Sequence, residues 1–303
     1  MKVTEIKTHL VRSARGERSP WVFVEICTDE GIVGLGDATN WPGGAIIKKA
    51  IEDLSQFVIG EDPFHIEYPS YPTYLALDQA VHTGVFIAAI SGIEIALWDI
   101  RGKQLGAQMH ALLGGKLRDR VRMYCDCHSG AHWTPHDHQR RWDEVRESGA
   151  LDPVYEPEAY FAMAKEVVAE GYTAVKFDLD VPNPRKLDKY DRSSSRRQHR
   201  HSIDTIEGLR DAIGPDVDLS IDLHGSFNMA DGLRICKDVE HLDLLWLEDP
   251  VRWECGNVDA LAKICQQTET PICTGEIFYG AKMFRELMEK QDCDLLEPAV
   301  PPS

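Results

Sequence analysis

The first forty residues alternate between apolar and polar. Lys2–Val11 has a period of two, Trp21–Cys27 is rich in β-branched and aromatic side chains, and Ile32–Asp37 follows the turn Thr28-Asp29-Glu30-Gly31. Runs of this kind, separated by turn residues, predict a three-stranded meander. Ser13–Pro20 reads as a polar loop between the first two strands. The period then becomes helical. Ala45–Phe57 and His82–Leu105 carry apolar residues at helical spacing, and small residues around Ser91 and Gly92 allow close packing of the second helix. Asp99 and Arg101, near its end, read as a structural ion pair. Leu112-Leu113-Gly114-Gly115 closes a short helix with glycine at the stop. Gly34-Leu35-Gly36 is too short for a dinucleotide fingerprint and lacks its strand-turn-helix context.

From Arg120 onward, short apolar strands alternate with helical segments, the pattern of a parallel sheet or barrel. Strands are expected at Val121–Asp126, Thr173–Asp178, Val217–Asp222, Leu244–Glu248, Pro271–Thr274 and Asp294–Glu297, and helices at Glu158–Glu170 and Asp204–Ala212. Two domains follow from this change of pattern, 1–118 and 119–303.

Three consecutive strands run into an acid: Asp222, Glu248 and Glu276, separated by 26 and 28 residues, each the length of one β/α unit. Taken singly, each acid reads as a helix N-cap after a strand. Taken in series, they deliver three carboxylates to one rim of a parallel sheet. Such an oxygen donor set suits a hard cation, Mg2+ first. His224 lies two residues past Asp222, which on an extended strand puts both on one face. By the same spacing Lys176 and Asp178 share a face and are placed to pair.

Composition narrows the partners. With 43% hydrophobic and 27% charged residues the chain is an ordinary globular one, and its formal net charge of −17 argues against nucleic acid or an anionic membrane as partner. The N-terminus has no apolar signal core, and no run approaches the roughly 20 apolar residues of a membrane helix, so a cytoplasmic protein is expected. The eight cysteines are scattered, which suits reduced thiols. Two loops stand out. Cys125–His138 holds two cysteines and four histidines, but its spacing fits no standard zinc finger. It reads instead as a loop at the mouth of the barrel, with His128 and His132 as candidate substrate-binding residues. Arg185–His201 is a basic cluster in an acidic protein, a solvated loop and a candidate lid.

The motifs Thr28-Asp-Glu-Gly-Ile-Val-Gly-Leu-Gly36, Ser91-Gly-Ile-Glu-Ile-Ala-Leu-Trp-Asp-Ile-Arg-Gly-Lys103, Leu112-Leu-Gly-Gly115, Ala174-Val-Lys-Phe-Asp178, Ile221-Asp-Leu-His224, Leu247-Glu-Asp-Pro250 and Thr274-Gly-Glu276 occur in one order along the chain. In this order the chain resembles the enolase superfamily, in its mandelate racemase/muconate lactonizing enzyme-like branch, and its motifs are most similar to those of sugar-acid dehydratases. The resemblance implies an α+β N-terminal capping domain and a modified TIM-type (β/α) barrel. It implies one Mg2+ per subunit held by Asp222, Glu248 and Glu276, and removal of the proton α to a substrate carboxylate. It implies His224 as the acid that protonates a leaving hydroxide, turning an aldonate or aldarate into a 2-keto-3-deoxy acid. Lys176 and Asp178 are then substrate contacts, with Lys176 also a candidate base. Family habit adds a homo-oligomer.

Two departures stand against that pattern. Relatives carry Lys-x-Lys where this chain has Lys176-Phe177-Asp178, and Ala299 stands where an aspartate is expected after the proline of the sixth strand. With six barrel strands in 303 residues, the expectation is a barrel truncated after the sixth. The rival readings are a racemase or epimerase of an α-hydroxy acid, and a non-catalytic member lacking the base.

Overall fold

The computed structural model describes residues 1–12, 20–40, 43–66, 84–127, 156–179, 193–252, 258–290 and 293–298. The chain divides into two compact units, one containing Met1–Val121 and the other Arg122–Pro298.

The first unit opens with the expected meander, β1 (Val3–Val11), β2 (Trp21–Thr28) and β3 (Val33–Asp37), paired antiparallel in that order. Alternation decides which face is covered: Val22, Val24 and Ile26 are fully buried, while Trp21, Phe23 and Glu25 point away. Two helices pack on the apolar face, α1 (Gly44–Leu54) and the 22-residue α2 (Gly84–Leu105), through Ile47, Ile51, Ile93, Leu97 and Ile100. The glycines of β3 let α2 approach. A Cβ at Gly34 would run into the Ala96 carbonyl, and one at Gly36 into the Gly92 carbonyl. Gly34-Leu35-Gly36 is therefore a packing motif. The expected Asp99–Arg101 pair is replaced. Asp99 takes Lys103 Nζ at 2.7 Å and the Leu35 N–H at 2.8 Å, four residues along the helix and across to the sheet. The Arg101 guanidinium lies over the Trp98 and Phe64 rings. The four-residue α3 (Met109–Leu112) follows.

The second unit is a six-stranded, all-parallel sheet in chain order: β4 (Cys125–Asp126), β5 (Ala174–Asp178), β6 (Asp218–Asp222), β7 (Trp246–Glu248), β8 (Ile272–Thr274) and β9 (Leu295–Leu296). The helices α4 (Pro157–Ala169), α5 (Arg196–Ile213), α6 (Met229–Asp238), α7 (Val258–Cys265) and α8 (Gly280–Lys290) supply the crossovers that parallel strands require. One parity of strand residues, Val175, Phe177, Leu219, Ile221, Leu247 and Ile272, forms an apolar core with these helices. The other parity is buried as well, yet polar: Lys176, Asp178, Ser220, Asp222 and Glu248. A fully buried polar face needs a purpose beyond packing, because each such group must be compensated inside.

Two expectations shift. Strand β4 covers only two residues of the predicted Val121–Asp126. The basic segment 185–201 is not all loop: Ser195 caps α5 by accepting from the Gln198 N–H at 3.2 Å, so Arg196–His201 form its first turns. Residues 185–192 of that segment, like the 13–19 loop, lie outside the described residues. Among the described residues, no helix is long and apolar enough to cross a membrane.

Candidate active site

The polar face of the sheet converges at the C-terminal ends of β5 to β9. Asp178, Asp222 and Glu248 are register partners on adjacent strands, and Cys273 continues the row. One layer deeper lies Lys176. Its Nζ sits 3.3 Å from Asp222 Oδ2, 3.3 and 3.1 Å from the two Glu248 oxygens, and 3.7 Å from Asp126 Oδ2. The expected partner Asp178 is thus displaced by acids from the neighbouring strands. On an inward-curving parallel sheet, the next strand brings a carboxylate closer than the residue two along. Burial alone would lower the Lys176 ammonium, but Asp222, Glu248, Asp126 and Glu297 together outweigh it, and its pKa is held above the usual lysine range. The same ammonium lies 5.9 Å from the centre of the Tyr124 ring.

His224 reaches the site by a different route from the one expected. Strand β6 ends at Asp222, and His224 takes a left-handed conformation (φ 41°) in the turn beyond it. Its N–H donates to Asp222 Oδ1 at 2.8 Å, and its Nε2 lies 3.4 Å from Asp222 Oδ2. The turn, and not strand alternation, folds the ring back over the carboxylate. His224 also remains partly open, with 35% of its side chain exposed against 1% for Asp222, as suits a group that meets a ligand.

Acids outnumber cations here. Burial, then Asp222, pushes the Glu248 carboxyl up to about 9, although Lys176 and the Trp246 Nε1–H (3.1 Å from Oε2) act in the opposite direction. Burial likewise raises Asp222 and Glu276. Glu276 lies two residues past β8 and is raised further by Asp222 and lowered by His224 and Lys176, so it shares the field of the same cluster. Asp249, next to Glu248, is pushed up to about 8 by burial, even though the Thr274 hydroxyl donates to its Oδ1 at 2.6 Å.

Two groups of side chains bring possible ligand atoms within 4.8 Å of one another: Asp178, Asp222 and His224, and Glu248, Cys273 and Glu297. Asp222 and Glu248 therefore anchor adjacent donor clusters, with the Lys176 ammonium against both. Glu276 belongs to neither group at that spacing. Glu297 was not singled out in the sequence. It accepts from the Tyr124 hydroxyl at 3.0 Å, and the Cys273 thiol lies 3.7 Å from its other oxygen. Tyr124, Asp126, Asp249 and Cys273 also went unremarked. The available signal was strand parity: Tyr124 and Asp126 alternate like Lys176 and Asp178. His128 and His132 lie outside the described residues.

Comparison with known proteins places this geometry. Residues 3–114 match the family model described as the mandelate racemase/muconate lactonizing enzyme N-terminal domain, and residues 159–302 match the enolase C-terminal domain-like model. The chain is 35% identical, over 99% of its length and 66% of the relative's, to the D-xylonate dehydratase of Haloferax volcanii. It is 29% identical, over 91% of its length and 50% of the relative's, to the D-gluconate dehydratase of Thermoproteus tenax. It thus spans between half and two thirds of the length of these curated relatives. Among solved structures, a mandelate racemase/muconate lactonizing enzyme-like protein from Rubrobacter xylanophilus superimposes with a TM-score of 0.85 at 32% identity, covering 99% of this chain and 72% of that one.

Proposed function

This chain belongs to the mandelate racemase/muconate lactonizing enzyme branch of the enolase superfamily, and from that premise we propose that it carries the site of a Mg2+-dependent sugar-acid dehydratase. The observation that carries the reading is that Asp222 and Glu248 close two successive strands, Glu276 lies two residues past the third, and Lys176 and His224 act on Asp222 and Glu276.

The donor set fits a divalent cation. All three acids are carboxylates, burial raises each of them, and mutual repulsion adds to that for Glu248 and Glu276. Lys176 and His224 are the cations that act on the cluster. Oxygen-only donors select Mg2+ over softer metals. When bound, the ion supplies the charge that offsets the second negative charge on a substrate carboxylate once its α-proton is removed.

Substrate binding and the leaving-group proton fall to this chain's own residues, and the α-proton goes to a base other than Lys176. Lys176, held charged by four acids, is a poor base and a good partner for a substrate carboxylate. That assigns it to binding and charge, not proton abstraction. His224, partly exposed and with Nε2 3.4 Å from Asp222 Oδ2, is the group that when protonated delivers the proton to the departing β-hydroxide. Asp178, buried beside Asp222 and His224, orients the sugar hydroxyls. The substrate class is an aldonate or aldarate; the two curated relatives above are named for aldonates, D-xylonate and D-gluconate.

The test is a panel of aldonates and aldarates incubated with the chain and Mg2+, with 2-keto-3-deoxy acid read as semicarbazone absorbance. Keto acid that disappears in His224→Asn supports the reading. Exchange of the α-proton with D2O without keto acid replaces it with the epimerase reading. Neither signal on any substrate rejects it.

A further inference from the structure

Asp249 has no place in the chemistry above, yet it is 1% exposed and adopts a left-handed backbone (φ 41°) that side chains other than glycine, asparagine and aspartate rarely take. Three bonds leave it. Its N–H donates to the Cys273 carbonyl of β8 at 3.1 Å, and its carbonyl accepts the Gly225 N–H beyond β6 at 2.8 Å. Its Oδ1 accepts from the Thr274 hydroxyl, the last residue of β8, at 2.6 Å. The residue after Glu248 is thus tied to both flanking strand ends, the one carrying Asp222 and the one preceding Glu276. The left-handed turn sends its side chain sideways to Thr274 instead of along the row of Asp222 and Glu248. Its Oδ2 is buried without a hydrogen-bond partner among the described residues, so the carboxyl group is held there against its own desolvation cost. A chain that needed only a turn here would use glycine.

We propose that Asp249 is a positioning residue: its bond to Thr274 locks the ends of β7 and β8 together and so fixes the separation of Glu248 and Glu276 for the cation. This rests on the metal reading above and is tested apart from it. A carboxylate that orients metal ligands from behind typically governs metal affinity by about 10–100-fold.

The measurement is isothermal titration of Mg2+ into the metal-free full chain, alongside thermal unfolding in EDTA. The variants are Thr274→Val, Thr274→Ser, Asp249→Ala and Asp249→Asn. Thr274→Val removes the donor at nearly constant volume and guards against a poorly folded Asp249→Ala. The expected result is Mg2+ affinity lowered by about 10-fold or more in Thr274→Val and Asp249→Ala, and restored in Thr274→Ser, which keeps the hydroxyl. Asp249→Asn keeps the acceptor and tolerates the left-handed turn, so it stays within about 3-fold of the parent. A lowered melting temperature with unchanged Mg2+ affinity in Thr274→Val overturns the positioning role and leaves the metal site standing. Loss in Asp249→Asn equal to that in Asp249→Ala also overturns it, because charge and not geometry is then what matters. No Mg2+ binding by the parent chain overturns both readings.

Discussion

Replacing Lys176 with methionine isolates the electrostatic core of the site. The stem volume is kept and one charge is removed. In the parent chain the ammonium lies 3.3 Å from Asp222 Oδ2 and 3.1 Å from Glu248 Oε2, with 7% of the lysine side chain and 1% of each acid exposed. At an effective dielectric of about 20, each contact at this distance is worth roughly 5 kcal/mol of Coulomb energy, most of it offset by the cost of burying the charges. Removing one partner of such a group typically costs about 3–5 kcal/mol, because the remaining charge is orphaned. Glu248, up at about 9, already carries its proton at pH 6, so no Glu248 charge is orphaned there. The loss is therefore expected to be smaller at pH 6 and to grow as pH rises toward 9. Saturating Mg2+ should shrink the loss at pH 9, since the ion replaces the missing charge. Urea unfolding followed by circular dichroism, at both pH values and with EDTA or Mg2+, measures all four numbers. An equal loss at pH 6 and 9, unaltered by Mg2+, would refute the reasoning and reduce Lys176 to a packing residue.

Two other predictions follow from single features. The metal-free fold should lose stability as pH rises. Glu248 holds its proton to about 9 against an ordinary 4.5, so between those values the folded chain keeps a proton the unfolded chain has lost. The slope is at most about 1.4 kcal/mol per pH unit, and Asp249, up at about 8, adds in the same direction. Urea midpoints in EDTA that stay flat or climb from pH 5.5 to 8.5 would contradict this. In the first unit, Gly36→Ala should cost about 1–3 kcal/mol by driving its Cβ into the Gly92 carbonyl, a main-chain obstacle that cannot rotate away. A melting temperature equal to the parent's would show that α2 simply shifts.

Much of this was legible because both architectures write themselves as periods. Alternation at Val22, Val24 and Ile26 marked the covered face of the meander, and the acid-terminated runs marked the rim of the parallel sheet. What escaped was set by turns and by contacts between strands. His224 was found by its spacing from Asp222, but a left-handed turn, not strand alternation, carries it to the carboxylate. Lys176 was expected to meet Asp178 on its own strand. It meets Asp126, Asp222 and Glu248 on others, because register across a sheet is invisible in a linear pattern. Asp249 drew no reading in the sequence, because its bond to Thr274, 25 residues on, is invisible in a linear pattern. Arg196–His201 read as loop because its charges hide an amphipathic face, whereas Ser195 was a cap in plain view.

The most direct test of the metal assignment is an anomalous difference map from crystals of this chain grown with Mn2+ in place of Mg2+. The account predicts one strong peak at bonding distance, roughly 2.1 Å, from an oxygen of each of Asp222, Glu248 and Glu276. A peak seated among Glu248, Cys273 and Glu297 away from Asp222 and Glu276, or no peak on this face of the sheet, would contradict it.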